Sequence, residues 1–315
     1  MWVIYAIVSA SLLGLYDVFK KQSLKDNAVI PVLLINTLIC AAFFLPSIIG
    51  SGLGLIADGS GYHTPTGGFH EHILVILKAF IVLSSWICGY FAIKRLPLTI
   101  VGPVNATRPV MTLIGAMLIF GERLNLLQWA GVCTAITSLW FLSRSGKKEG
   151  IDFKSNIWVM LLLAAAVLGS VSGLYDKYLM SPSGAGLDRL FVQGWYNLYQ
   201  AVIMGIIMAV VWLPERNRAI RKAAPGERPD YTCFRWRWTI PFISIALTAA
   251  DLAYLYALTL PGAMISVVSM IRRSSVLVSF LFGAFLLHEK NIKGKVIDLA
   301  LVFISLILLV LGSIE

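Results

Sequence analysis

Three arginines sit where a charged side chain is costly. Arg108 lies inside an apolar segment near residues 98–120, and Arg272 and Arg273 lie inside another near 263–287. Each is about nine residues in, roughly 14 Å deep at 1.5 Å per helical residue, near the middle of a hydrocarbon core about 30 Å thick. One buried arginine costs about 2.5–3.5 kcal/mol even on the lenient insertion scale, so three at one depth must face protein or water. The planar guanidinium fork suits phosphate or carboxylate oxygens, whereas clustered cations without a ligand repel one another. The chemistry implied is the grip of an organic anion. The competing role is neutralisation by Asp17, Asp176, Asp251 or Asp298. Adjacent residues on a helix point about 100° apart, so at most one of Arg272 and Arg273 faces a cavity squarely, and the other is free to pair with Asp251.

The acids divide by depth. Asp251 is the most deeply embedded and is the leading candidate for a proton carrier. Asp17 and Asp176 sit near segment ends, where they either cap or pair with Lys20 or Lys177, or act as proton-coupling or gating acids. Glu122 and Glu289 read as ordinary loop carboxylates beside Arg123 and Lys290. Gln193, Tyr196, Asn197 and Gln200 recur at i, i+3, i+4 and i+7 and draw one polar stripe on a helix face, with Trp195 and Tyr199 beside it. The stripe either hydrogen-bonds a substrate or joins neighbouring helices. Trp86, Tyr90 and Tyr254 are expected to wall the same cavity, and Asn105 is placed in the same substrate-binding set. Pro103 and Pro109 predict a kink beside Arg108.

The elements that position these residues follow from composition. Hydrophobic residues make up 58% of the 315-residue chain, charged residues 13%, and the mean hydropathy is +0.81. A water-soluble domain of that size could not cover so much apolar surface, which makes this an integral membrane protein. Apolar runs long enough to span number ten, near 2–19, 28–50, 73–94, 98–120, 126–143, 156–178, 189–213, 238–259, 263–287 and 294–313. They are continuous rather than alternating, so helices are expected and a membrane barrel is not.

A duplication is written into these spans. Gly14-Leu15-Tyr16-Asp17 recurs as Gly173-Leu174-Tyr175-Asp176, with Ala10 and Gly14 matched by Gly169 and Gly173. Leu96-Pro97 recurs as Leu260-Pro261, and Gly121-Glu122-Arg123 is echoed by His288-Glu289-Lys290. The expected fold is therefore all-α, ten transmembrane helices as two five-helix repeats, 1–150 and 151–315. An odd number of helices per copy inverts the second copy, and inverted repeats imply a site near the midplane with alternating access.

Lys and Arg concentrate in the odd-numbered loops, which hold Lys20, Lys21, Lys25, Lys94, Arg95, Arg144 and the basic stretch at about 214–237. The even loops hold Arg123, Lys177 and Arg189. This bias places the odd loops in the cytoplasm and both termini outside. The net charge of +10 is then mostly orientation, and no nucleic-acid partner is expected. The basic stretch reads as a linker near anionic headgroups.

The outer loop at about 51–72 carries His63, His70, Glu71 and His72 without the spacing of a zinc signature. Cys40, Cys88, Cys133 and Cys233 form no Cys-x-x-Cys motif, no leader with a cleavage site precedes the first helix, and no nucleotide-binding loop is present. Neither a metal nor a cofactor is expected.

Pro109 through Leu124, an apolar helix followed by Gly-Glu-Arg and a new helix, resembles the drug/metabolite transporter superfamily, and in particular its EamA-type ten-helix bacterial permeases. The second copy departs from the pattern at Leu286 to Lys290. The resemblance spans nearly the whole chain and implies a multi-pass permease of the plasma membrane, the inner membrane in bacteria, acting as a monomer or homodimer. Some members have both termini in the cytosol, opposite to the loop count.

Taken together, these features lead to the expectation of a secondary transporter of a phosphate- or carboxylate-bearing metabolite, proton-coupled or working by exchange and not an enzyme. The alternatives are an exporter of amino acids or amphipathic drugs, and a translocase or intramembrane enzyme for lipid-linked phosphates.

Overall fold

The computed structural model describes residues 2–57, 60–120, 124–147, 151, 153, 155–180, 184–222, 232–259, 271–272, 274–285 and 292–314. Every regular element among them is a helix. The helices are α1 (Trp2–Leu24), α2 (Val29–Gly52), α3 (Phe69–Arg95), α4 (Leu98–Ala106), α5 (Arg108–Phe120), α6 (Leu126–Lys147), α7 (Ile157–Met180) and α8 (Arg189–Ile207). The chain then passes through a π-helical turn at Met208–Trp212 into α9 (Leu213–Lys222), followed by α10 (Thr239–Thr259), α11 (Ser275–Phe285) and α12 (Ile292–Ile314).

Among the described residues six helical stretches are long and apolar enough to cross a membrane: α1, α2, α3, Leu126–Ser145 of α6, Ile157–Asp176 of α7, and the run Arg189–Lys222. Shorter apolar helices occupy Thr239–Tyr254, Ser275–Phe285 and Val296–Gly312. The difference from ten has a local cause at the fourth segment, which is broken at Thr107 into helices of 9 and 13 residues. The outward faces are greasy: Ile4, Leu38, Phe43, Leu77, Phe80, Val202, Ile206 and Leu281 are all exposed, as suits lipid contact.

Helix contacts come in matched pairs. α1 packs along α10, and α3 along α7; α1 also meets α11, and α5 meets α7; α3 touches α8, and α2 touches α10. α2 packs on α8, and α6 on α12. Serine hydroxyls bond across these seams, where the close approach of small residues exposes the neighbour's carbonyls. Ser138 Oγ of α6 donates to the Asp298 carbonyl of α12 at 3.0 Å, and Ser305 Oγ of α12 donates back to the Gly131 carbonyl of α6 at 2.8 Å. Ser9 Oγ donates to the Ala250 carbonyl and Ser85 Oγ to the Ala165 carbonyl, each at 2.7 Å. A Cβ on Gly14 would stand 2.6 Å from Val278 Cγ1 and 2.9 Å from the Ser275 carbonyl oxygen, so α1 and α11 meet almost backbone to backbone there.

Several cations of the odd loops are consumed in holding helix ends. Lys20 is not in a loop at all: it is buried within α1. Lys21 Nζ donates to the Ile93 and Leu96 carbonyls at 2.7 and 2.5 Å, satisfying acceptors that the end of α3 leaves open. Lys94 Nζ donates to the Asn27 carbonyl and Arg237 to that of Gln22, both at 2.7 Å. Fully buried Asn27 fastens the stretch before α10 to the α1–α2 turn, donating to the Arg235 carbonyl at 2.7 Å and accepting from the Arg235 N–H at 2.8 Å.

Candidate functional site

The site begins at the break between α4 and α5. Pro109 has no N–H to offer the Asn105 carbonyl, so the helix cannot continue through this turn. Thr107 closes α4 instead, its Oγ1 donating to the Val104 carbonyl at 2.7 Å. The Arg108 carbonyl accepts from Thr112 Oγ1 at 3.0 Å and from Ser170 Oγ of α7 at 3.1 Å, which pins the break against α7. The guanidinium lies over Gly169: a Cβ there would meet its central carbon and Nη1 at 3.0 Å. Arg108 Nε is buried without a hydrogen-bond partner, and so is Asn105 Oδ1. Asp17 and Tyr16 are within electrostatic range of Arg108, yet no carboxylate among the described residues reaches salt-bridge distance of it.

Among the described residues, three further embedded cations, Lys20, Lys78 and Arg272, are paired. Lys20 Nζ bonds Asp17 at 2.9 Å and lies 4.2 Å from the Tyr16 ring centroid and 5.3 Å from that of Tyr90. Lys78 Nζ forms an ion pair with Asp176 at 2.5 Å and lies 4.7 Å from the Tyr196 ring centroid. Arg272 is hydrogen-bonded to Asp251 and stacks 4.5 Å from the Tyr254 ring centroid. Each embedded pair is thus one acid, one base and one or two tyrosines. Such rings stabilise a desolvated cation through their quadrupole.

Amides fill the space between. Asn36 on α2 accepts from Ser244 Oγ at 2.7 Å through Oδ1, while its Nδ2 is orphaned. On α8, Asn197 Nδ2 donates to the Gln193 carbonyl at 2.8 Å, and both Nε2 and Oε1 of Gln200 are orphaned. Cys40 lies within electrostatic range of both Tyr90 and Tyr196, and Asp176 and Asp251 within that of Tyr196, so the paired ions and the amides share one polar layer.

Residues 1–144 match the model of the EamA-like transporter family. The first 144 of the 315 residues are thus similar to EamA-like transporters, and the helices long and apolar enough to cross a membrane agree with a multi-pass membrane protein. No curated protein matches the chain. A solved crystal structure, described only as that of a protein, aligns with a TM-score of 0.59 and 15% identity over 98% of this chain and 97% of its own, which shows a shared fold over nearly the whole chain.

Within this fold the expected site residues do not all meet. Arg108, Asn105, Asp17 and Tyr90 group around the α4–α5 break and the end of α1, whereas Tyr196, Asn197, Gln200 and Asp176 gather along α8 and α7. Gln193 takes part through its carbonyl, and Trp86 is half-buried against the apolar core. Arg273, Glu122, Glu289, Arg123 and the Leu260-Pro261 turn lie outside the described residues, as does the side chain of Lys177. Sequence reasoning passed over Lys78 and Asn36. A lone lysine inside the apolar 73–94 run was the available signal for Lys78; Asn36 became visible only as the counterpart of Asn197.

The 51–72 stretch has a mechanical role. His72 bonds Tyr199 Oη through Nδ1 at 2.8 Å and the Thr66 carbonyl through Nε2 at 2.7 Å, with its ring edge-on to Trp195. Glu71 accepts from the Gly68 N–H at 2.7 Å. Among the described residues no group of three His, Cys, Asp or Glu could hold a metal. A separate cavity of about 410 Å³ opens beside α9, lined by Val29, Phe91, Lys94, Trp212, Arg216 and Thr232, among others. It lies at the helix ends, away from the polar layer.

Proposed function

We propose that this protein is an alternating-access secondary transporter of a small organic anion bearing phosphate or carboxylate, built as two inverted five-helix repeats, 1–150 and 151–315, in the plasma membrane. One observation carries the anion assignment. Among the described residues Asp17, Asp176 and Asp251 each hold a cation of their own, and Arg108, at a helix break, has no carboxylate within salt-bridge distance and a donor without a partner. A phosphate or carboxylate there supplies the charge and the acceptors it lacks. The repeat organisation is supported by the matched helix contacts and the reciprocal Ser138 and Ser305 bonds.

Arg272 supplies coupling in this scheme. Protonation of Asp251 releases Arg272 from its partner and makes a second guanidinium available to the anion, linking proton to substrate. Lys20–Asp17 and Lys78–Asp176 act as latches on the two repeats, opening in alternation. The excess of Lys and Arg in the odd loops, Lys20 aside, keeps those loops cytoplasmic.

The alternative of an amino-acid or drug exporter draws support from Arg272, whose charge is already neutralised by Asp251 and covered by Tyr254. A thermal-shift screen of the purified protein against phosphorylated, carboxylated and neutral compounds separates the two. Stabilisation by one anionic class that disappears in Arg108→Gln, with unliganded stability retained, is the expected result. Stabilisation by neutral or cationic amphipaths alone, unchanged in Arg108→Gln, contradicts the anion site.

A further inference from the structure

Two amides of the polar layer, on helices other than the one bearing Arg108, have hydrogen-bonding capacity that no described residue meets. Gln200 on α8 is 1% exposed with neither Nε2 nor Oε1 partnered; Asn36, on the helix packed against α8, is 0% exposed with Nδ2 unpartnered. Had these residues served only to join helices, their amides would be closed, as Asn197 is on the Gln193 carbonyl. Gln200 lies one turn beyond Tyr196 and so on its face of α8, the face that meets Lys78. Their unmet capacity amounts to donors at Nε2 and Nδ2 and an acceptor at Oε1.

The chemistry of that triad discriminates between ligands. A carboxylate or phosphate oxygen satisfies the donors and leaves Oε1 orphaned, while an ammonium group satisfies Oε1 and leaves both donors orphaned. A hydroxyl gives one hydrogen and takes two. We propose that the transported anion carries a hydroxyl group, recognised by Gln200 with the Asn36 amide, in addition to the anionic group held at Arg108. The assignment rests on the anion reading and narrows it from organic anions in general to hydroxylated ones. A site built around a substrate hydroxyl rejects the analogue lacking it, because its own polar groups are then left unpaired.

Binding of matched pairs to the purified full-length protein tests this: malate against succinate, lactate against propionate, and glycerol 3-phosphate against propyl phosphate. In at least one pair the hydroxylated member is expected to bind at least about tenfold more tightly. In Gln200→Leu that ratio is expected to fall to about twofold or less while Arg108-dependent anion binding remains, and Asn36→Ala is expected to lower it in part. The Asn36 variant serves as the readout if Gln200→Leu does not fold. Equal affinity within every pair, with binding still dependent on Arg108, overturns the hydroxyl assignment and leaves the anion site standing; that is also the result if the amides hold only a resident water. A preference that survives both amide variants overturns it as well. If none of the six compounds binds in an Arg108-dependent way, the anion reading falls and the hydroxyl assignment with it.

Discussion

Lys78 of α3 and Asp176 of α7 form an ion pair at 2.5 Å in which the lysine side chain is 5% exposed and the carboxylate 34%. The inequality has a consequence for stability. Removing one partner of a buried pair strands the other charge, at a cost of up to about 3–5 kcal/mol when that charge is fully buried. Asp176→Asn strands the buried lysine, whereas Lys78→Met strands a carboxylate that water reaches. Asp176→Asn is expected to lower the melting temperature clearly more than Lys78→Met, and the double variant to recover most of the loss. Equal effects of the two single variants in a detergent melt would show that the pair is not stabilised in this way.

Gly169 separates function from stability. A Cβ there meets only the end of the flexible Arg108 side chain, at 3.0 Å, so Gly169→Ala is expected to change stability by less than about 1 kcal/mol. Displacing the guanidinium is nevertheless expected to weaken anion binding, and Gly169→Leu to abolish it. Paired melting and binding measurements check this. Gly14 is the contrast: its Cβ meets the Ser275 carbonyl oxygen at 2.9 Å, so Gly14→Ala is expected to destabilise by about 1–3 kcal/mol through overpacking.

The fold was legible where sequence marks it locally. Continuous apolar runs located the described helices, and Pro109 located the break beside Arg108, whereas Pro103 lies within α4 without interrupting it. The stripe of Gln193, Tyr196, Asn197 and Gln200 falls within one helix, α8. Pairing was legible in part: Arg272 holds Asp251, as the sequence suggested, but partners chosen by tertiary packing were not all visible. Asp17 found Lys20 three residues away, a separation visible in any helix, but Asp176 found Lys78 on another helix rather than a sequence neighbour. The loop count treated Lys20 as a free cytoplasmic charge, although α1 continues past it and buries it beside Tyr16.

His72 straps the outer loop to α8 through Tyr199, Thr66 and Trp195. His72→Ala removes both hydrogen bonds and the ring contacts. Amide hydrogen exchange is expected to accelerate at residues 60–68 while α6 and α12 stay protected. Unchanged exchange in that loop would assign its order to the Ser47–Thr64 contact instead.

Asp251 and Arg272 are expected to carry the coupling. Asp251→Asn leaves Arg272 without its counter-charge, so anion binding should become independent of a proton gradient while exchange across the membrane continues. Uptake driven by an imposed pH gradient, compared between wild type and Asp251→Asn, measures this. A gradient response retained in Asp251→Asn would place the coupling group elsewhere.

The central claim is that Arg108 binds the transported anion. Counterflow in proteoliposomes addresses it most directly, with vesicles preloaded with an unlabelled anion and labelled anion added outside. Wild-type protein is expected to accumulate label transiently, and Arg108→Gln, with the wild-type melting temperature, to accumulate none. Wild-type counterflow by Arg108→Gln would contradict the account.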